Sequence, residues 1–314
     1  MVFTNLIRPA LLILLPLTVG IFCKKYNLFE IFFEKLYKAV VFIILPALVF
    51  GAIAINGPPE LTLGSNILVL ALICVGGTSL ITALVTYLRG LNREDSTEIF
   101  INAAFMNYTF LGLAVVQSVL GQQPGVLGYA SLYAVSVGVI HLPISLILAK
   151  SSAGEKATVK EAFVEILSFP AFFALIVALL FQVFPVLPPF HTTAKAIYNE
   201  FANVASFIMV LAAGYKMEIG RFRKHLSKIF EIGVLRLVIG PLITWVLILA
   251  LGLLNYAENI AYVALILSIM PPGVFNIIIA ERFGLDIESY GSIVFYLTII
   301  SLFVALPIMI ILVF

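Results

Sequence analysis

The sequence predicts an all-α membrane protein with ten transmembrane helices arranged as two inverted repeats of five helices. Three observations predict this fold: an apolar composition, basic residues that gather in alternate loops, and a matching pattern in two distant segments. Of the 314 residues, 62% are hydrophobic and 11% are charged, and the mean hydropathy is +1.17. Soluble domains are typically about 45–50% apolar and about 25% charged, so we expect this chain to lie in a lipid bilayer.

The length of the chain predicts the number of spans. A helix needs roughly 20 residues to cross the hydrocarbon core, so the chain accommodates about ten spans joined by short loops. The apolar windows are residues 5–22, 32–55, 66–88, 97–120, 126–149, 161–184, 193–214, 229–253, 259–281 and 287–313. The first window has no small-residue cleavage site, so we interpret it as a span and not as a removed signal peptide.

The distribution of basic residues predicts the orientation in the membrane. Only Arg8 and Lys195 fall on one side of the predicted spans. The sixteen on the other side are Lys24, Lys25, Lys35, Lys38, Arg89, Arg93, Lys150, Lys156, Lys160, Lys216, Arg221, Arg223, Lys224, Lys228, Arg236 and Arg282. Because cytoplasmic loops carry an excess of Lys and Arg, we expect a cytoplasmic (inner) membrane protein with both termini outside. A net charge of only +2 gives no indication of nucleic-acid binding.

An internal repeat relates the predicted fourth and ninth helices. Residues 103–112 resemble residues 267–276 when Met106 is placed on Met270, an offset of 164 residues. We therefore predict a first repeat over residues 1–150 (helices 1–5) and a second over residues 151–314 (helices 6–10). Five spans per half is an odd number, so the second half must be inverted in the membrane.

Helix nine contains a strong signal for an interruption. Consecutive prolines at Pro271 and Pro272 remove two backbone donors, and Gly273 adds conformational freedom. The half-helix that follows presents unpaired N–H groups and a positive dipole end, which favours an anion. Asn276 lies in its first turn. Inverted repeats with interrupted helices are typical of the binding site of a secondary transporter.

Helix four carries a polar cluster in the corresponding place. Asn107, Tyr108 and Thr109 lie opposite the double proline in the repeat, and Gly112 follows. This segment has no proline, so its interruption is inferred from the cluster and the repeat alone. We expect helices 4 and 9 to be broken and to cross, with two half-helix N-termini around a shared site.

These two segments resemble the auxin efflux carrier family, which includes bacterial malonate and malate permeases and plant auxin exporters. The fourth-helix pattern appears as Asn107, Tyr108, Thr109, Phe110, Leu111, Gly112, Leu113 and Ala114, and the ninth-helix pattern as Pro271, Pro272, Gly273, Asn276, Ala280, Phe283, Gly284 and Asp286. The chain departs from the family pattern at Tyr108, Thr109 and Ala114, which alters the wall of the pocket. The resemblance implies a scaffold domain, a transport domain that bears the crossover, carboxylate substrates and an elevator-like movement.

Together these features predict a secondary transporter that moves a small mono- or dicarboxylate by alternating access. The expected substrate-binding residues are Asn107, Tyr108, Thr109, Gly112, Pro271, Pro272, Gly273 and Asn276. The two asparagines are also compatible with hydrogen bonding between helices alone. A channel and a transporter-like sensor are the alternative functions. A membrane enzyme is disfavoured, because the sequence has no His-Glu-x-x-His motif and no paired intramembrane aspartates.

Three ionisable residues are candidates for coupling transport to an ion, with H⁺ or Na⁺ as the expected species. His141 lies in the fifth span, where it serves either a proton or only a neutral hydrogen bond to a backbone carbonyl. Glu98 lies near the start of helix four and Glu200 in helix seven, where each serves either a coupling cation or only the membrane interface. We expect no cofactor and no bound metal. The expected partners are the lipid bilayer and a small carboxylate, and a homodimer is compatible with the sequence.

Overall fold

The structure is a computed structural model that describes residues 2–55, 61–121, 123, 125–156, 158–183, 191–217, 219–220 and 222–313. These residues are almost entirely helical, and one isolated β-bridge is the only strand-like pairing among them. Six of the described helices are long and apolar enough to cross a membrane. Three shorter apolar helices accompany them: Tyr108–Leu120, Pro170–Phe181 and Glu258–Ser268. The chain is therefore an all-helical, multi-pass membrane protein.

The first half of the chain contains the helices α1 to α5. They are α1 (Val2–Lys25), α2 (Glu30–Ala54), α3 (Leu61–Leu88), α4a (Arg93–Ala104), α4b (Tyr108–Leu120) and α5 (Val126–Ser152). Asn92 caps α4a, because its side chain accepts a hydrogen bond from the backbone N–H of Asp95 at 2.8 Å. The interruption predicted for helix four lies between α4a and α4b, at residues 105–107.

The second half contains the helices α6 to α10. They are α6a (Val159–Leu167), α6b (Pro170–Val183), α7 (His191–Lys216), α8 (Phe222–Ala250), α9a (Glu258–Ser268), α9b (Val274–Arg282) and α10 (Ile287–Leu312). The double proline predicts the interruption of helix nine, and the structure has it at residues 269–273. Asp286 caps α10 by accepting from the N–H of Ser289 at 3.1 Å.

Three helices widen into a π-helical turn shortly before a proline. The turns Val40–Ile44, Leu235–Ile239 and Ser301–Ala305 precede Pro46, Pro241 and Pro307. Proline has no N–H to donate to the carbonyl four residues earlier, so the hydrogen-bond register of the preceding turn changes. The consequence matters in α8, where the π turn contains Arg236.

The helices pack into two groups. In one, α1 packs along α7 and α2 along α6b. The contact of α1 with α7 depends on Gly20 and Gly214, since a Cβ atom at either would collide with a backbone carbonyl of the other helix. In the other group, α3 contacts α4a, α5 and α8, while α10 packs on α8 and α9b. The interrupted helices four and nine contact this second group, and α4b also packs along α7 of the first.

One prediction about orientation is wrong. Arg236 was assigned to the basic residues of the cytoplasmic loops, but it lies within α8 and is 1% exposed. The free energy of burying a cation is high unless it is paired, so the guanidinium must be stabilised by partners inside the protein. Arg8 and Arg221 lie where the structure describes no side chain.

Candidate functional site

The interruptions of helices four and nine contact each other through their backbones. The N–H of Asn107 donates to the carbonyl oxygen of Pro271 at 2.7 Å, and the N–H of Gly273 donates to the carbonyl oxygen of Phe105 at 3.0 Å. These two bonds form an antiparallel bridge between Met106 and Pro272. Backbone N–H and C=O groups in each break thus form hydrogen bonds with those in the other. Such bonds are required in a membrane interior, because no water is present there to bind these groups. The two helices are fixed together at this crossing.

Arg236 binds the carboxyl ends of both half-helices that enter the crossing. One nitrogen, Nη1, donates to the carbonyl oxygens of Ala103 and Ala104 at 3.2 Å each. The other, Nη2, donates to the carbonyl oxygen of Ser268 at 2.8 Å. The last carbonyls of a helix have no intrahelical partner, so one side chain satisfies the ends of α4a and α9a. Its Nε has no hydrogen-bond partner among the described residues.

Ser301 satisfies a further carbonyl of the ninth-helix break. Its hydroxyl donates to the carbonyl oxygen of Ile269 at 2.7 Å. Ser301 begins the π turn of α10 and is fully buried. Helix α10 therefore stabilises the crossing in addition to α8.

Asn276 connects α9b to the end of α4a. Its Nδ2 lies 3.2 Å from the carbonyl oxygen of Ile101, 3.2 Å from Oδ1 of Asn102 and 3.3 Å from the carbonyl oxygen of Phe105. Its Oδ1 has no hydrogen-bond partner among the described residues, although the side chain is fully buried. The amide thus has a structural role and also leaves a buried acceptor at the crossing.

Asn107 presents the complementary group. Its Oδ1 accepts from the backbone N–H of Leu111 at 3.2 Å and so caps α4b. Its Nδ2 is buried without a hydrogen-bond partner in the part of the chain that the structure describes. A buried amide donor at the N-terminal end of a half-helix is a group that can bind an anion. Thr109 and Gly112 are buried in the turns that follow.

His141 packs against the fourth-helix break from α5. Its ring stacks on Phe105 with centroids 4.3 Å apart, and its Nδ1 lies 3.0 Å from the hydroxyl of Tyr108. The sequence suggests a hydrogen bond from this histidine to a backbone carbonyl; in the structure the partner of its Nδ1 is the Tyr108 hydroxyl. Gly138 of the same helix lies beside this pair, since a Cβ atom there would be in van der Waals contact with the Tyr108 hydroxyl at 3.4 Å.

An aromatic cluster covers the N-terminal ends of α4b and α9b. The rings of Tyr37 and Phe110 stack with centroids 5.4 Å apart, and Phe110 meets Phe275 edge to face at 5.8 Å. Phe169 lies 6.3 Å from Phe275. These residues come from α2, α4b, α9b and the turn between α6a and α6b, so both helix groups contribute.

The comparison with known proteins agrees with this geometry. A family model described as a membrane transport protein matches residues 7–310. The chain belongs to the auxin efflux carrier family of membrane transporters. It is also similar to an uncharacterized transporter of Methanothermobacter thermautotrophicus, at 24% identity over 280 residues and 87% of each chain. As a family member the chain is a transporter and not an enzyme.

The two predicted acidic coupling residues of this auxin efflux carrier family member occupy different environments. Glu98 in α4a is 3% exposed, and its Oε2 lies 2.5 Å from Nζ of Lys228. The Nζ of Lys228 also lies 2.6 Å from Oδ1 of Asp95, so this lysine of α8 forms ion pairs with two carboxylates of α4a. Glu200 is exposed on α7. The structure thus brings Glu98 and His141 into the helix group of the crossing and leaves Glu200 outside it.

Sequence reasoning missed three residues at the crossing of this transporter: Arg236, Asn102 and Ser301. A usable signal existed for Arg236, which falls inside the apolar window 229–253. An ionisable residue inside a span indicates a function by default. Asn102 and Ser301 are small polar residues in helices with many such residues, and only the fold shows which of them face the breaks.

Proposed function

We propose that this protein is a secondary transporter that moves a small organic anion, a mono- or dicarboxylate, by alternating access. The observation that carries the proposal is the Nδ2 group of Asn107, which is buried without a hydrogen-bond partner among the described residues at the crossing of two interrupted helices. The alternative is a channel or sensor built on the same crossing, and the experiment below distinguishes the three.

Electrostatics at the crossing favour an anion. The helix macrodipole places roughly +0.5 of an elementary charge at each helix N-terminus. The N-terminal ends of α4b and α9b therefore supply together about one positive charge, which matches one carboxylate. Among the first N–H groups of the two half-helices, those of Tyr108, Leu111 and Asn276 already donate to Met106, Asn107 and Gly273. The remaining N–H groups of these first turns can donate to carboxylate oxygens. The Nδ2 of Asn107 adds a side-chain donor to this set.

The body of the substrate would contact the walls that surround these donors. Tyr108, Thr109 and Gly112 form the first turns of α4b, while Pro271, Pro272 and Gly273 form the break opposite. Phe110 and Phe275 supply an apolar wall, which suits the carbon skeleton of an organic anion. The Oδ1 of Asn276, which has no hydrogen-bond partner in the part of the chain that the structure describes, can accept from a hydroxyl group or a protonated carboxyl group of the substrate.

We further propose that the helices form ten membrane spans, in two repeats over residues 1–150 and 151–314. The interrupted pairs α4a–α4b, α6a–α6b and α9a–α9b each count as one span in this arrangement. Ion pairs near the ends of the helices, such as Lys150–Glu161 and Lys224–Glu288, involve basic residues assigned to the cytoplasmic side. With Arg236 removed from the sum, fifteen basic residues against two still predict that both termini lie outside.

Alternating access would come from movement of one helix group against the other. Lys216 of α7 connects the groups, because its Nζ lies 3.6 Å from Oε2 of Glu281 in α9b and 5.5 Å from the ring centroid of Tyr37. Exposed or half-exposed ion pairs contribute about 0–1 kcal/mol, so a thermal motion can break this contact. The interface is thus compatible with a sliding or rocking movement.

The test is uptake into proteoliposomes that contain the purified protein. Labelled malonate, malate and phenylacetate are supplied one at a time, under imposed gradients of pH, Na⁺ and electrical potential. We expect saturable uptake of at least one carboxylate and acceleration by unlabelled substrate inside the vesicle. Linear flux without such counterflow indicates a channel, binding without flux indicates a sensor, and the absence of both contradicts the carboxylate assignment.

A further inference from the structure

The guanidinium of Arg236 carries a full positive charge in the interior of the helix group. Its charge has no carboxylate partner within ion-pair distance among the described residues. The ionisable side chains beside it are Cys74 and Tyr133, both of which are neutral types at pH 7. Arginine keeps its proton in proteins, so the charge must be balanced by dipoles.

The ends of two helices supply the balance. Each helix C-terminus carries roughly −0.5 of an elementary charge, concentrated on its last carbonyl groups. Arg236 donates to the last carbonyls of α4a through Ala103 and Ala104, and to the last carbonyl of α9a through Ser268. The two ends together offset about one positive charge. The match accounts for a buried arginine that has no acid beside it.

Carbonyl groups at the ends of interrupted helices are also ligands for Na⁺ in membrane transporters. Backbone carbonyls are among the oxygen ligands that hard cations prefer, and three of them converge on one side chain here. The guanidinium fills this place and donates to all three. A metal ion could bind these carbonyls only after the side chain had left.

We propose that Arg236 is a positioning residue that acts as the built-in cation of the crossing and replaces a coupling metal ion. It holds the two negative helix ends together and leaves the two positive ends of α4b and α9b free for an anion. Na⁺ therefore has no site at these carbonyls in the native chain. The metal-independence of transport rests on the proposed function, whereas the binding of these carbonyls by a permanent cation does not.

Thermal unfolding in detergent tests the proposal without any substrate. The chloride salts of Na⁺, Li⁺ and choline are compared at equal ionic strength, for the native chain and for Arg236→Ser, Arg236→Lys and Arg223→Ser. Arg223 is exposed on α8, so its replacement controls for the loss of one arginine. We expect the native chain, Arg236→Lys and Arg223→Ser to unfold at the same temperature in all three salts. Arg236→Ser should lose several degrees and recover part of them in Na⁺ or Li⁺ but not in choline.

Each contrary result would overturn the proposal. Specific stabilisation of the native chain by Na⁺ would contradict the claim that the guanidinium replaces a metal ion. An Arg236→Ser variant as stable as the native chain would show that the guanidinium is dispensable. If Arg236→Ser fails to fold, Arg236→Lys tests the proposal instead. The proposal requires Arg236→Lys to fold and to show no stabilisation by Na⁺. Failure of Arg236→Lys to fold, or its stabilisation by Na⁺, would contradict the role of the charge.

Uptake by the native chain completes the experiment. Replacement of Na⁺ by choline on both sides of the vesicle should leave the initial rate of carboxylate uptake unchanged. A rate that falls on removal of Na⁺ would contradict the built-in cation. If no carboxylate is taken up in either salt, the proposed function fails, while the pattern of unfolding temperatures still decides the role of Arg236.

Discussion

The backbone N–H of Asn107 donates to the carbonyl oxygen of Pro271 at 2.7 Å, and this bond joins two segments that are 164 residues apart in the chain. Asn107 precedes one half-helix and Pro271 lies in the break that precedes the other. The bond therefore fixes the N-terminal ends of α4b and α9b relative to each other. A site between them is built from both halves of the protein and would be lost if either break were straightened.

Gly112 permits the close approach of α4b to α9a. A Cβ atom at this position would lie 2.7 Å from Cδ2 of Leu267 and 2.9 Å from the carbonyl oxygen of Asn107. We expect Gly112→Ala to destabilise the protein by about 1–3 kcal/mol, as overpacking does, and to lower the unfolding temperature. Gly76→Ala is the matched control, because a Cβ atom there has nothing within 4 Å. Equal stability of the two variants would contradict this packing.

Gly214 allows α7 to contact α1 directly. A Cβ atom at Gly214 would collide with the carbonyl oxygen of Leu17, and one at Gly20 with that of Leu211. Backbone atoms cannot rotate away as a side chain can, so the helices must separate. We expect Gly214→Ala and Gly20→Ala each to lower the unfolding temperature, and the double variant to lose less than the sum, since one separation relieves both collisions. Strict additivity would show that the two positions act independently.

Asn276 stabilises the crossing through its Nδ2 group. Asn276→Asp replaces a donor that faces three acceptors by an oxygen that repels them, at nearly the same volume. Buried polar groups without partners cost about 1–3 kcal/mol each, so we expect a large fall in the unfolding temperature. The control is Asn66→Asp, at a half-exposed position where Nδ2 donates to the hydroxyl of Tyr256 at 3.2 Å. A fall no larger than that of the control would remove the structural role of Asn276.

Tyr108 and His141 form a pair that a double-mutant cycle can measure. The variants are Tyr108→Phe, which removes only the hydroxyl, His141→Phe, and the two combined. We expect a coupling free energy of about 0.5–1.5 kcal/mol, the typical contribution of one hydrogen bond. Coupling near zero would indicate that the two side chains only pack. Because Phe105 stacks on His141, the coupling also reports how firmly the fourth-helix break is held.

Sequence reasoning predicted the crossing with unequal strength on its two sides. The break in helix nine follows from Pro271 and Pro272, which cannot donate backbone hydrogen bonds. The break in helix four has no such signal. It is stabilised by contacts from elsewhere in the chain, namely the bond to Pro271, the bond from Gly273 and the carbonyls bound by Arg236. Only the polar cluster at residues 107–109 and the internal repeat indicated it.

The role of Arg236 could not be predicted from its neighbours in sequence. The rule for basic residues counts charges near the ends of spans and does not separate a buried arginine from a loop arginine. Its partners, Ala103, Ala104 and Ser268, are small residues that bind it through their backbone carbonyls. Such partners leave no mark in a sequence. The position inside an apolar window was the single available sign.

The most direct test of the anion site is equilibrium binding of labelled malonate to Asn107→Ser and Asn107→Asp in detergent, beside the native chain. Both variants keep a side-chain oxygen for the N–H of Leu111, so the cap of α4b is retained while the free amide donor is lost. We predict binding about 10–100-fold weaker in Asn107→Ser, as the loss of a hydrogen bond to a charged group implies. Asn107→Asp, which adds a negative charge, should show no measurable binding. Native affinity in Asn107→Asp would contradict an anion site at the crossing of the two helices.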